Sequence, residues 1–282
     1  MNFKIHHYVI CFQPRFNTYF HQLKSFQTED NPVFFISSKL VKDIKPQGQF
    51  IKRLSTKEVM HKHNDEIYIF GIQDDYIIYG IKKIDASHYE ISIRETLEHK
   101  DEIEYVLSLR IFSHIVSSDF HLIVHASAIN FQQQGILFVG SSKVGKTTLA
   151  KRIIAHHEST FFINDDKPLI TYQEDTFYVH GTPWAGDEGL CRNTFSKISA
   201  IIFLEQGIYS KMKEMTNYDK VIYLIEHSYH LFTETYIDAY LKIINQLIDQ
   251  VPIYKMIVSN DHQAYDVFYQ WNKKNQIYHK AT

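Results

Sequence analysis

The sequence is short of cysteine, proline, glycine and tryptophan, and each shortage excludes something. Cys11 and Cys191 are the only cysteines in 282 residues, which leaves no disulfide framework and no zinc-binding spacing and points to a reducing compartment. Ten Gly and six Pro exclude a linker-rich or low-complexity chain. No stretch approaches the roughly 18 uninterrupted apolar residues that a membrane-spanning helix needs. Residues 1–12 are interrupted by Lys4, His6 and His7 and lack the build of a signal peptide, so a cytoplasmic location is expected. An excess of one charge is missing as well: 30 basic residues face 32 acidic ones, for a formal charge of −2. Without a basic field, neither nucleic acid nor a membrane surface is an expected partner. What is abundant is apolar and aromatic: 44% hydrophobic residues, with 20 Phe and 19 Tyr, enough to build one large core or two modest ones.

Residues 1–98 carry short runs rich in Ile, Tyr, Phe and Val, at Tyr8–Phe12, Val33–Ser37, Ile67–Phe70, Tyr76–Ile81 and Tyr89–Ile93, which predict a small, mainly β amino-terminal domain. Helical spacing of Ile103, Val106, Leu107, Phe112 and Ile115, with Asp101 and Glu102 at the positive end of the dipole, predicts a helix over 101–117. From 99 onward strand and helix signals alternate, as in an α/β core. Strands are expected at Leu122–His125, Ile136–Val139, Phe161–Ile163, Ile198–Leu204 and Val251–Val258, with a hairpin from Pro168–Thr171 and Phe177–Val179. Helices are expected over Gly145–His157, Tyr218–His230, Glu234–Gln250 and Asp261–Asn272. In the helix 234–250, Tyr240, Ile243, Ile244 and Leu247 form a stripe that reads as core.

One motif carries chemistry at fixed spacing. Gly140-Ser141-Ser142-Lys143-Val144-Gly145-Lys146-Thr147 fits G-x-x-x-x-G-K-[ST], and it stands between an apolar strand and a helical run that begins at Thr148, the context that a phosphate-binding loop requires. The glycines let successive N–H groups turn inward onto phosphate oxygens, Lys146 reaches the β and γ positions, and Thr147 offers a hydroxyl to Mg²⁺. Downstream, the strand Phe161–Ile163 ends in Asn164-Asp165-Asp166. Paired acids there suit a division between a metal or water ligand and a proton acceptor; the plainer alternative is a solvated turn. In Gly181–Gly189 glycines, a proline and Trp184 build a loop of the kind that carries binding residues. Arg192 is a candidate phosphate ligand or a surface ion-pairing residue, Trp184 a substrate contact or a core residue, and Cys191 a small buried hydrophobe.

The combination of His125 in Val124-His-Ala-Ser-Ala-Ile-Asn130, the glycine loop and Asn164-Asp-Asp166 resembles the HPr kinase/phosphorylase group of the phosphoenolpyruvate carboxykinase-like superfamily. His180-Gly-Thr-Pro-Trp-Ala-Gly186 and Ile201–Gln206 look more specifically like stand-alone members that phosphorylate lasso-peptide precursors. The resemblance covers about residues 100–270. It implies an HPr-kinase-like α/β fold, His125 beside the transferred phosphoryl group, Asp166 as base and Asp165 with Thr147 on the metal. Bifunctional members place a metal-binding glutamate where this chain has Tyr178-Val-His180. Asp165 and Thr147 then hold the metal with water, or Asp187 or Glu188 reaches back, or His180 takes part.

The chain is therefore expected to be an ATP- and Mg²⁺-dependent kinase for a Ser/Thr hydroxyl, most specifically on a ribosomally made precursor peptide. Catalysis is expected from His125, Lys146 and Asp166, nucleotide binding from residues 140–148 and Arg192, and a homo-oligomer fits the family. The alternatives are a kinase for a small-molecule hydroxyl and an ATP-binding regulatory or scaffold protein.

Overall fold

A computed structural model describes residues 1–16, 18, 20–64, 66–74, 76–186, 188–229, 234–259 and 263–275. The chain divides into two compact units, Met1–Phe112 and Ser113–Thr282. Strands β1 (Asn2–Ile5), β2 (Tyr8–Phe12), β3 (Phe34–Val41), β4 (Gln49–Ser55), β5 (Glu58–His63), β6 (Glu66–Gln73), β7 (Tyr76–Lys83) and β8 (His88–Arg94) make up the sheet of the first unit, in the order β1-β2-β3-β8-β7-β6-β5-β4. β2, β3 and β8 run parallel, and the remaining neighbours are antiparallel. Phe3, Ile5, Ile10, Phe12, Phe26 and Ile91 are fully buried, each contributing roughly 1.5–3 kcal/mol by leaving water. The sequence pattern finds β2, β3, β6, β7 and β8 and misses β1, β4 and β5; β4 is an edge strand with no buried position, and such a strand has no apolar face to print an alternation.

Helix α1 (Lys100–Ser117) follows, with Asp101 and Glu102 in its first turn. Two of its charged residues, Glu104 and Arg110, are tied down. Buried Glu104 accepts the N–H groups of Arg15 and Phe16, both at 3.0 Å, and Arg110 donates to buried Glu58, which also accepts the Tyr79 hydroxyl.

In the second unit the chain runs through β9 (Leu122–Val124), β10 (Ala126–Phe131), β11 (Gln134–Val139), α2 (Lys146–His156), β12 (Phe161–Asn164), the hairpin β13 (Leu169–Gln173) and β14 (Thr176–His180), and the long β15 (Phe195–Gln206). It continues with β16 (Lys211–Lys213), α3 (Asn217–His227), β17 (Ser228–Tyr229), α4 (Glu234–Gln250), β18 (Ile253–Val258) and α5 (Gln263–Asn275). The sheet order is β12-β10-β11-β15-β14-β13-β9-β17, with β18 on β15 and β16 on β18. The start of β15 pairs antiparallel with β14, while its later part lies parallel between β11 and β18. Alternate side chains of β11 and β15 enter opposite cores. Leu137, Val139, Ile201 and Phe203 meet Ile243, Ile244 and Leu247 of α4, the stripe expected to be core. Ile136, Phe138, Ala200 and Ile202 meet Leu149 and Ile153 of α2 and Phe268 of α5. The fold is thus mixed α/β.

Two differences from the sequence pattern matter for the site. The expected strand 122–125 stops at Val124, and a second strand starts at Ala126. His125 sits at the break because the partners change there: β9 pairs with β13 and β17, whereas β10 pairs with β11 and β12. The helix expected over 218–230 ends at His227, and position 230 lies outside the described residues.

Candidate functional site

β11 and β15 run parallel; β11 ends at Val139, opposite Phe203, while β15 runs on to Gln206, and the loop that leaves β11 turns directly into α2. Carboxyl ends of parallel strands are where α/β folds place ligands. Gly140 is at φ 156, and a Cβ on it would stand 2.9 Å from the Leu204 carbonyl oxygen, so the loop can pass over the end of β15 only as glycine. Lys143 and Gly145 also have positive φ, at 65° and 109°. Lys146, 8% exposed, folds back so that its Nζ donates to the carbonyls of Gly140 at 3.0 Å and Ser141 at 3.1 Å. Burial lowers its pKa; nearby Asp166 and Asp165 pull the other way, and Lys167 adds to the lowering.

The acid pair is held by a buried side chain. Asn164 is 0% exposed; its Oδ1 accepts the N–H of Asp166 at 2.9 Å and of Lys167 at 2.7 Å. Its amide donates to the carbonyls of Thr182 at 2.8 Å and Trp184 at 3.3 Å. This is an Asx turn locked from both sides. It directs the two acids to different partners. Asp165 accepts from Ser127 Oγ, and the Thr147 hydroxyl lies near enough to act on it. Burial raises its pKa against both hydroxyls. Asp166 Oδ1 pairs with Lys167 Nζ and stands 3.3 Å from His125 Nε2. Gly186 lies beside Asp166 in the left-handed region, at φ 68, which favours glycine.

His125 is fixed through its backbone, its N–H donating to the His227 carbonyl at 2.7 Å. Burial, then the charges of Lys167 and Lys146 and the nearby His227, push its pKa down to about 3, so the imidazole is neutral at physiological pH. Lys167, 7% exposed, lies over the Tyr229 ring at 5.0 Å, and its carbonyl accepts from Thr182 Oγ1 at 2.7 Å.

The other sequence-singled residues lie around this centre. Ser141, Ser142, Lys143 and Val144 line a cleft of about 390 Å³ together with Tyr223 and His227. Thr148 lines a second cleft, of about 200 Å³, with Arg152, Gln206 and Ser259. Trp184 is fully buried, which answers its open role in favour of the core. The Arg192 guanidinium stacks on Phe161 at 4.3 Å, at the start of the strand whose far end carries the acids. His180 meets Thr171 Oγ1 at 2.9 Å and stacks on Phe195. Glu188 pairs with Lys151 of α2 at 2.7 Å and lies near enough to act on Asp165. Asp187 lies outside the described residues. Burial pushes the Cys191 thiol up to about 12.

Sequence reasoning overlooked Ser127, Lys167 and His227. Ser127 left only its place two residues beyond His125 as a signal. Lys167 left only adjacency to the acids as a signal, and His227 left none.

The donor set fits magnesium. The half-buried Asp165 carboxylate and the nearby Thr147 hydroxyl that closes the loop are hard oxygen donors of the kind magnesium takes.

Comparison with protein-family models and with curated proteins returns no match. Among solved structures, the chain is similar to the HPr(Ser) kinase/phosphatase from Coxiella burnetii, with 10% identity over 55% of this chain and 98% of that chain and a TM-score of 0.33. A likeness at that score carries no argument about fold or chemistry, so the functional case rests on the site.

Proposed function

We propose that the chain is an ATP- and Mg²⁺-dependent kinase of the HPr-kinase-like group that phosphorylates a Ser/Thr hydroxyl on a peptide or protein. The observation that carries this is the convergence of three things on Lys146: the glycine loop, the Asp165 carboxylate beside Thr147, and the Asp166 carboxylate held by Lys167 and His125. We take 99–282 as the catalytic domain and 1–98 as a separate mainly β domain. A ribosomally made precursor peptide is the most specific acceptor, supported by the resemblance of segments 180–186 and 201–206; a cytoplasmic location and a homo-oligomer complete the proposal.

The loop amides and Lys146 bind and orient the β- and γ-phosphates, for which Lys146 exchanges two carbonyl contacts for phosphate oxygens. Magnesium, held by Thr147 and Asp165, neutralises phosphate charge when bound. Asp166 takes the proton of the acceptor hydroxyl as that oxygen bonds to the γ-phosphorus and the bond from the γ-phosphorus to the β-bridging oxygen breaks, leaving ADP. Neutral His125 has a single N–H, which faces Asp166 and turns to the phosphoryl group in the complex.

The test is incubation with γ-labelled ATP and cell extract, then mass spectrometry of the labelled species. Phosphoserine or phosphothreonine on a polypeptide is expected. Asp166→Asn is expected to bind ATP as the parent does and to transfer roughly 10²–10⁴-fold more slowly; unchanged transfer removes Asp166 from the role. ATP binding with no transfer to any component overturns the kinase assignment in favour of regulatory binding, and label on a small molecule overturns the acceptor class.

A further inference from the structure

Resting on the nucleotide-phosphate assignment of the same loop, we propose that His227 is a further catalytic residue, whose imidazole touches the terminal phosphoryl group from the acceptor side. It ends α3, and the residues after it join the sheet: Ser228 and Tyr229 of β17 pair with Val124 and Ile123 of β9. The His227 carbonyl accepts the His125 N–H at 2.7 Å. The two histidines are therefore fastened to each other by the backbone, and their relative position is set by strand register rather than by side-chain packing. Tyr229, two residues on, lies under Lys167, so one short segment bears on both the histidine and the lysine of the centre.

The His227 ring has the core behind it and a cleft before it. It packs against Phe203 at 6.2 Å and Tyr223 at 6.4 Å, and it lines the cleft of about 390 Å³ opposite Ser141 and Ser142. Burial lowers its pKa, and Lys146 lowers it further while Glu226 opposes. His227 is thus a neutral donor close to the ammonium that reaches the β- and γ-phosphates in loops of this type.

The end of the polyphosphate that His227 meets follows from the loop itself. In such loops the start of the helix serves the inner phosphates and the lysine the outer ones. Thr148, at the helix start, lines the smaller cleft with Arg152, Val258 and Ser259, which is the side for the nucleoside. Lys143, Val144 and Gln206 line both clefts, but Ser141 and Ser142, the first half of the loop, line only the one that His227 lines, and under the proposed function the γ-phosphoryl group leaves and the acceptor enters there.

The experiment compares binding of Mg-ADP and of the Mg complex of the β,γ-imido ATP analogue by calorimetry, on the full chain. His227→Ala is expected to weaken the analogue by about 10- to 100-fold, the value of a hydrogen bond to a charged group, while ADP changes by less than about twofold. His227→Gln, which keeps an N–H donor, is expected to recover part of the loss. His227→Phe keeps the packing on Phe203 without the donor and decides the question if the alanine variant does not fold. Equal losses for both nucleotides, or none, overturn the role of His227. Failure of the parent chain to bind either nucleotide overturns the phosphate assignment itself, and the inference with it.

Discussion

At the scale of single residues, Asn164 has the most to answer for. It is fully buried, and both ends of its amide are occupied by backbone groups of the acid turn and of the 182–184 segment. Asn164→Ala removes those partners at once and leaves buried N–H and C=O groups unpaired, so a loss of about 2–4 kcal/mol is expected in denaturant unfolding. His125 yields a pH signature. Its pKa lies at about 3 in the folded chain, against about 6.5 for an unfolded histidine. Between those values the unfolded chain binds the extra proton, so this group's contribution is complete above about pH 6.5 and is lost as the pH falls toward 3. Asp165, raised from 3.8, acts with the opposite sign, its share declining as the pH rises through that region. His125→Gln is expected to flatten the acid limb of a melting-temperature profile between pH 6.5 and pH 3; an unaltered limb would show that other groups set it.

At the scale of elements, α3 and α1 each carry a contact whose removal can be measured. Thr216 Oγ1 accepts the Asp219 N–H at 3.1 Å and donates to its carboxylate at 2.7 Å, an amino-terminal cap. Thr216→Ala is expected to cost about 1 kcal/mol, readable as a shift in the denaturant midpoint. In α1, Arg110→Met strands the buried Glu58 carboxylate, and a cost of about 3–5 kcal/mol is expected by the same measurement. What the sequence makes visible follows from physics at this scale. Gly140–Thr147 was legible because phosphate binding fixes residue types at fixed spacing, and α4 and β15 because long apolar patterns repeat. The short strands β16 and β17 were not, as three or two residues are too few to establish a period. The Ser127–Asp165 bond spans 38 positions, and such pairings arise from sheet order, which no local pattern encodes.

At the scale of the whole molecule, ligand binding and folding are linked. Mg-ATP at one hundred times its dissociation constant is expected to add about 2.7 kcal/mol to stability, seen as a raised melting temperature. Lys146→Met is expected to abolish that rise. Asp165→Asn is expected to retain the response to ATP and lose the increment due to Mg²⁺. A rise unaffected by either change would place the nucleotide elsewhere. The posture of Lys146 has a wider consequence. Its ammonium is already engaged by two carbonyls; under the proposed function a monoanion would trade two contacts for one, whereas a polyphosphate, which would also engage the loop amides, would gain on the exchange. Discrimination against small anions such as chloride would then be set by the loop itself.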